Sequence, residues 1–526
     1  MDIEIQDLSL IGLNKDVKSH LLPPEAWTEL LNARFNEGQV EWVGAKSQVL
    51  GTTTVEPYFA AMIRAADGTR FIAYFGLNAA YCVDQNSVHT DITRAAGAYA
   101  GTKAADHNHT VLGGIPIFNN WVDLPQFWSP VGAATDLQNL TNFPATERAR
   151  VLRAFGPYLC AYHITIGANV YPHMVHWSHP ADPGAIPVSW DETDPTRDAG
   201  KNELSDVDSG VILDARGLRG QMFIYKENST WLQRIIGGRF VFSFDTFLET
   251  VGALGPRCVA TTGDGKYHFV ATQDDVIVHD GATVTPLLTG RMKTTIFGGM
   301  DSTNYGNSFV FCKPDSSEMW FCYPTSGNVF PNRALIWNYG VKSELGVLSE
   351  ADVDFQAVTT VDFDLGDSGA WDADGDVWDA DPSFWDTVSR RKTLVVRPTA
   401  SKLLLLDSGT DNDGSAVTST IQRTGLAVAG QKRTGEWIND VAQVKMVKRL
   451  WLTASGAQFN VRMGMQRVVG GSIEWTDTQT FDPATQLYVD FIITGPILAL
   501  EFSGTSLFTV SSYKIELEPA GRVMPL

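Results

Sequence analysis

Short runs of β-branched and aromatic residues fill most of the chain, separated by clusters of Gly, Asp, Asn and Pro. Within many runs apolar and polar positions alternate, the period-two signature of strands. One segment breaks the pattern. Over residues 24–33, Pro24 suits a first helical position and Trp27, Leu30 and Leu31 fall at i, i+3 and i+4, which predicts a helix. Residues 145–155 hold helix formers but merge into the alternating run 158–166, and read as helix or strand. The whole predicts a mainly β protein.

A unit of strand, turn, strand, turn, strand recurs in shape rather than in letters. Copies start at Gly68 (GTRFIAYFGLNAAYCVD), Gly156 (GPYLCAYHITIGANVYPHMVHW), Arg219 (RGQMFIYKENSTWLQRI), Gly263 (GDGKYHFVATQDDVIVHD) and Asn307 (NSFVFCKPDSSEMWFCY). A weaker copy starts at Arg391 (RKTLVVRPTASKLLLLD), and residues 110–128 read as part of another. Meanders spaced by roughly 40–50 residues point to a β-propeller, since radial packing covers the faces and edges that each unit leaves bare. Two or three stacked β-sandwiches are the alternative. Residues 446–517 differ, with longer alternating strands such as KRLWLTASG and LYVDFIITG, the pattern of a β-sandwich. The predicted organisation is an N-terminal arm and motif (1–50), about six irregular blades (51–413) with inserted loops at 171–210 and 350–390, and a C-terminal β-sandwich-like domain (414–526).

With 40 Lys+Arg against 60 Asp+Glu the net charge is −20, which argues against a surface that grips nucleic acid backbone. Hydrophobic content of 44% supports sizeable cores. Twelve acidic residues and no Lys or Arg lie between positions 350 and 386, and the balance turns basic from 391 to 470. Such adjacent blocks suit solvated faces or a subunit contact. The 5 Cys are scattered, without a CxxC pair, so neither a disulfide framework nor a structural zinc is expected. Cys312 and Cys322 might be thought to meet across a hairpin, but buried free thiols are the plainer reading. The start MDIEIQDLSL has no basic segment followed by an apolar one, so no leader and no membrane insertion are expected.

Three passages invite chemistry. Trp371, Trp378 and Trp385 recur every seven residues, each followed by Asp. Gly375, Pro382 and the many Asp residues forbid a coiled-coil seam, so the rings read as loop or interface residues. Asp372, Asp374 and Asp376 with Gly375 resemble part of a calcium loop, but the Gly falls one place early and Ser383 stands where the closing Glu belongs. Calcium is the one cofactor this pattern suggests. The GDSGA at 366–370 lacks a matching histidine base and is rejected as a serine nucleophile. His163, His173, His176 and His179 cluster in sequence, but residues three apart on an extended chain face opposite ways, and loop or interface roles are expected. No phosphate loop, nucleophile elbow or zinc-protease helix is present.

The segment LLPPEAWTELLNARFNEGQVEWVGA (21–45) places Trp27, Thr28, Asn32, Phe35, Gly38 and Gly44 in a spaced motif. With VHWSHPADPGAIPVSWDETDPTRDAG (175–200), MFIYKENSTW (222–231), the Trp-Asp repeat and the KIELEPAGRV near the end, it resembles the tail nozzle proteins of short-tailed, podovirus-type phages, also called tail tubular protein B or packaged-DNA stabilisation proteins. The resemblance implies a β-propeller subunit of the virion tail, assembled in the host cytoplasm. It implies a homo-oligomeric ring, usually a hexamer, below a tail adaptor, with fibres or spikes nearby. The ring's lumen continues the DNA channel, retains the genome and permits its ejection. No catalytic residues come with the family, so no enzyme is expected.

The charge fits that expectation. Each Lys or Arg contact to phosphate adds affinity through counterion release, so a channel that passes double-stranded DNA without tight binding is better lined by acids. Two other readings remain: a glycosidase-like propeller enzyme, which the Trp and Asp content suits, and a calcium-dependent host-binding tail protein.

Overall fold

The computed structural model describes residues 2–101, 106–204, 210–238, 240–341, 346–362, 391–433 and 437–522. Six four-stranded antiparallel sheets, and a seventh four-strand meander that belongs to a larger sheet, are arranged along the chain as the irregular blades of a propeller. Blade 1 holds Phe59–Arg64, Arg70–Phe75, Ala80–Val83 and His89–Asp91. Blades 2 to 6 occupy residues 108–139, 147–203, 212–248, 259–286 and 309–352. Blade 7 combines Ala357–Val361, Lys392–Arg397 and Lys402–Leu406 with Lys46–Thr52, which arrives from the start of the chain as the outermost strand. The stretch around 110–128 is thus part of a full blade, and the weak unit at 391 is completed from elsewhere.

The first strand of each blade lies innermost, and these strands touch one another around the ring. Blade strands are covered on both faces, so side chains of one strand divide between two cores. On Arg70–Phe75, Ile72 and Tyr74 pack on Leu394 and Val396 of blade 7, while Phe71, Ala73 and Phe75 pack on Phe118 and Trp128 of blade 2. On Gln221–Lys226, Met222 and Ile224 face blade 3, and Phe223 and Tyr225 face blade 5. Each such aromatic or branched side chain contributes about 1.5–3 kcal/mol by leaving water.

The remaining strands form a sandwich. One sheet runs Tyr488–Gly495, Gln443–Gly456, Phe508–Arg522, Gln39–Trp42, Ala33–Asn36, with Asp2–Ile5 also paired to Phe508–Arg522. The facing sheet contains Ser419–Leu426, Ile497–Gly504 and Phe459–Gln466. Glu29–Leu31 lies between Ser419–Leu426 and the Val347–Asp352 strand of blade 6, so propeller and sandwich share one ten-stranded sheet. The first 45 residues, expected as an arm, are woven through both sheets.

The helix predicted over 24–33 does not form. Its residues make the short strands Ala26–Trp27, Glu29–Leu31 and Ala33–Asn36. Their amides are spent on distant carbonyls: Thr28 N–H donates to Gln422 O at 2.9 Å and Asn32 N–H to Glu350 O at 2.8 Å. Residues 147–155 are also a strand. In the ten-residue helix Gly290–Gly299, Thr289 stands at the N-cap but its side chain makes no capping hydrogen bond. The cap comes from Asp16, whose Oδ1 accepts the Met292 amide at 2.8 Å. All five cysteines are free thiols, and Cys312 stands opposite Met319, not Cys322.

Asn32 holds the junction. It sits at φ +53°, its Nδ2 donates to Asp352 Oδ2 at 2.9 Å and Thr418 O at 2.8 Å, and its Oδ1 accepts the Asp352 amide at 2.7 Å. Asn32→Ala loses all three bonds and keeps a backbone conformation alanine disfavours. Its guanidinium unfolding transition, followed by tryptophan fluorescence, is expected to drop by about 2–4 kcal/mol. Asn32→Gly, which relieves the backbone, should lose less. An unchanged Asn32→Ala midpoint would show that the junction is not limiting.

Candidate functional site

The inner strands of blades 2 to 5 converge on a narrow cavity at the propeller axis, lined by Asp106, Asn108, Arg150, Arg153, Asp214 and Arg257 among others. Charged residues interrupt otherwise apolar strands here. In Glu147–Phe155, the register passes from Ala149↔Ile164 to Val151↔Tyr162, so Arg150 and His163 fall out of the ladder. His163 takes φ +56° and Trp121 φ +66°. These turns bring the Trp121 ring against both, 5.0 Å from the Arg150 guanidinium and 5.2 Å from the His163 ring.

Arg153 is answered in full. Its Nη2 lies 2.5 Å from Asp214 Oδ1, and its Nε donates to Ala215 O at 2.9 Å. Asp214 also meets Arg216 at 3.2 Å. Burial would raise the Asp214 carboxyl, but the two guanidiniums outweigh it and hold it below its usual range. Arg257, at φ +77°, lies over Phe309 of blade 6 at 5.4 Å and donates from Nη1 to Gln356 O, at the start of blade 7, at 3.1 Å. It thus reaches from blade 5 past blade 6 to the start of blade 7. Burial pulls the Arg150 and Arg257 guanidiniums down from their ordinary pKa.

Two further polar clusters lie between blades. Gly281 N–H donates to His279 Nδ1 at 3.3 Å, which leaves His279 Nε2–H for Tyr225 Oη at 2.7 Å. Tyr225 O–H then donates to His268 Nδ1 at 2.7 Å, and His268 Nε2–H to Gly217 O at 3.1 Å. Every hydrogen in this chain is assigned by its partners with both imidazoles neutral. In blade 3, buried His176 has Glu147 Oε2 at 2.8 Å from Nδ1 and Trp190 O at 2.8 Å from Nε2, and Lys201 Nζ lies 2.9 Å from Glu147 Oε1. This pins the inserted loop around Trp190 to the blade. Burial pushes the thiols of Cys82, Cys160 and Cys258 up to about 12, which removes them as thiolate nucleophiles near neutral pH.

The residues singled out from sequence fall elsewhere. Trp27 is buried, its Nε1 donating to Leu8 O at 3.0 Å; Thr28 Oγ1 donates to Gln422 O at 3.0 Å; Phe35 is core. Gly38 and Gly44 adopt φ +84° and +135°, and a Cβ on Gly44 would stand 2.7 Å from Val417 Cγ1. Of the six motif positions, Asn32 bridges blade 6 and the sandwich side through Asp352 and Thr418, Phe35 O accepts from Asn338 of blade 6, and the others pack within the early segment and the sandwich. The four histidines go to separate tasks: His163 to Trp121, His176 to Glu147, His179 Nδ1 to the Asp198 amide at 3.1 Å, and His173 to the strand Asn169–Trp177. Asp372, Asp374, Asp376, Trp371, Trp378 and Trp385 lie outside the described residues. The axial residues went unrecognised; their signal was charge inside apolar strands, as in ERARVLRAF and ILDARGL.

The fold and this site define a seven-bladed β-propeller fused to a β-sandwich. No family model and no curated protein matches the chain. Similar solved structures include virginiamycin B lyase from Staphylococcus aureus (9% identity, TM-score 0.38, 69% of this chain and 98% of that one). A streptogramin B lyase aligns at 8% identity and TM-score 0.39, over 69% and 97% of the two chains. PorZ of Porphyromonas gingivalis aligns at 9% and 0.33, over 85% of this chain and 46% of that one. Likenesses this distant carry no argument about the site.

Burial drives His268 to about 3 and His163 and His279 to about 4, from an ordinary value near 6.5. The unfolded chain therefore binds more protons than the folded one between about pH 6.5 and pH 4. Stability from these sites is full above about pH 6.5 and is lost as pH falls toward 4. Melting temperature should decline over that window, and ring-nitrogen NMR shifts of His268 and His279 should stay those of neutral imidazole at pH 5. Titration of either ring near pH 6.5 would overturn the assignment.

Proposed function

We propose that this chain is a structural subunit of a phage tail ring, the nozzle that continues the DNA channel, retains packaged genome and permits its ejection. The observation that carries the reading is the motif Trp27, Thr28, Asn32, Phe35, Gly38 and Gly44, on which the family resemblance rests. Among them Asn32 ties blade 6 to the sandwich side through Asp352 and Thr418, a rigid coupling of the kind a ring subunit under axial load needs. The closed axis is consistent with a channel formed between copies. Arg257 lines the axial cavity and reaches to the start of blade 7, and that cavity is far smaller than a duplex whose major groove alone spans about 12 Å. A surface carrying most of a −20 charge would keep the phosphate backbone centred.

The sandwich offers a contact for such a ring. Tyr488–Gly495 is an edge strand, and beside it Leu487 is 70% and Ile492 90% exposed. An uncovered edge with apolar side chains is a liability in isolation and an asset in an assembly.

The test is the quaternary state of purified protein and particles. Electron microscopy and sedimentation should give closed rings, at least on the particle, and antibody against the chain should label the tail. Ile492→Lys, at a fully exposed position, should leave folding unchanged and weaken assembly at least tenfold. A chain that stays monomeric on the particle, or that releases reducing sugar from host polysaccharide, would favour the enzyme reading instead.

A further inference from the structure

We propose that the axial cavity is a binding site for a single monovalent anion of halide size, held by the guanidiniums of Arg150 and Arg257. Three guanidiniums and two carboxylates line the cavity. Arg153 and Asp214 satisfy each other at 2.5 Å. That leaves Arg150 and Arg257, and neither has an ion pair among the described residues. The Nε atoms of both are buried with no hydrogen-bond partner. Arg150 has only the Trp121 ring behind it, and Arg257 has the Phe309 ring and one carbonyl. Aromatic faces hold guanidiniums in place and leave their N–H edges free.

Charge and size then fix the ligand. Asp106 is the remaining acid of the cavity and acts electrostatically on both arginines. Within the lining, these two cations against one carboxylate leave a positive excess, only partly offset by Glu227 outside it, which acts on Arg150; a small anion answers that excess and a water molecule does not. The cavity is small and narrow, lined closely by Asn108, Val151, Leu213 and Pro256 beside the charged residues. The N–H donors that lack partners match an anion, which accepts from all sides, better than a cation. An ion here also ties Arg150 of blade 3 to Arg257 of blade 5, which itself reaches blade 7.

The experiment uses the full chain and chloride as the probe. Thermal unfolding is followed in sodium chloride and in sodium gluconate at matched ionic strength, with a phosphate series beside them. Chloride is expected to raise the melting temperature saturably over gluconate, by roughly 3 °C at a hundredfold excess over Kd. Arg257→Gln and Arg150→Gln should each abolish the difference. Because either variant can fail to fold, excess ³⁵Cl line broadening is measured on the unaltered protein and should be displaced by bromide. Identical curves in the two salts with no excess broadening would overturn the site. Stabilisation by phosphate and not by chloride would overturn the halide assignment.

Discussion

A blade with two apolar faces is stable only when both are covered, and a row of such blades is covered at its two ends only if the row closes. That constraint governs this molecule. Closure here depends on Lys46–Thr52 returning to Lys402–Leu406, pairing Leu404 with Gln48 and Leu403 with Val49. Lys46 is buried and lies 2.7 Å from Asp354 Oδ1. Arg397 joins Asp354 and meets Asp413 at 3.0 Å, and Lys402 meets Asp413 at 2.6 Å. Burial alone would raise the Asp354 carboxyl, but Lys46 and its other partners hold it below its usual range. Early and late segments must therefore meet before the ring is complete. Contacts of such long sequence separation fold slowly but stop any one blade from peeling away alone.

The same early segment pays a second debt at the sandwich. Arg34 reaches Asp407 of blade 7 at 2.6 Å and Glu318 of blade 6 at 3.4 Å, Lys313 lies 2.8 Å from Asp407, and Trp320 Nε1 donates to Glu318 at 2.9 Å. Burial pulls the Arg34 guanidinium down, yet the two acids outweigh it and its pKa is raised. Arg423 has no carboxylate; it donates instead to the carbonyls of Ser19, Leu22 and Pro23 at 2.8–3.2 Å. Removing one member of either set strands a desolvated charge or leaves carbonyls bare, a cost of about 3–5 kcal/mol for a charge. Propeller and sandwich are coupled by polar groups that tolerate little displacement, so relative domain motion is not the default here.

Strand content and the repeated meander were legible because they rest on local pattern: RFIAYF, QMFIYK and EMWFCY announce themselves by composition. The completion of blade 7 was not, since one of its four strands, Lys46–Thr52, lies some 350 residues from its partner by the numbering. The false helix at 24–33 has the same origin. Trp27 and Leu30 are buried as helical spacing suggested, but in strands fixed by Gln422 and Glu350. Asp16 capping Gly290–Gly299 is the reverse case, a helix signal supplied from far away. At the axis, ERARVLRAF displayed its arginines openly. What no local pattern gives is that Arg153 would pair with Asp214 while Arg150 and Arg257 would form no ion pair among the described residues.

That asymmetry matters because of the net charge. In a molecule of −20, free cations are drawn outward to acids, and the described lysines and arginines are largely paired in this way. A guanidinium kept from an acid by the geometry of a ring axis marks a place where packing, rather than charge, chose the position. Inner strands of blades 2 to 5 converge there, and their side chains compete for little space; of the two carboxylates in the cavity, Asp214 is taken by Arg153 and Arg216. An ion of one charge and small radius meets both limits at once. The centre of the propeller would then be held by a soluble component rather than by a side chain, which makes closure of the ring sensitive to the anions around it while the outer surface remains acidic.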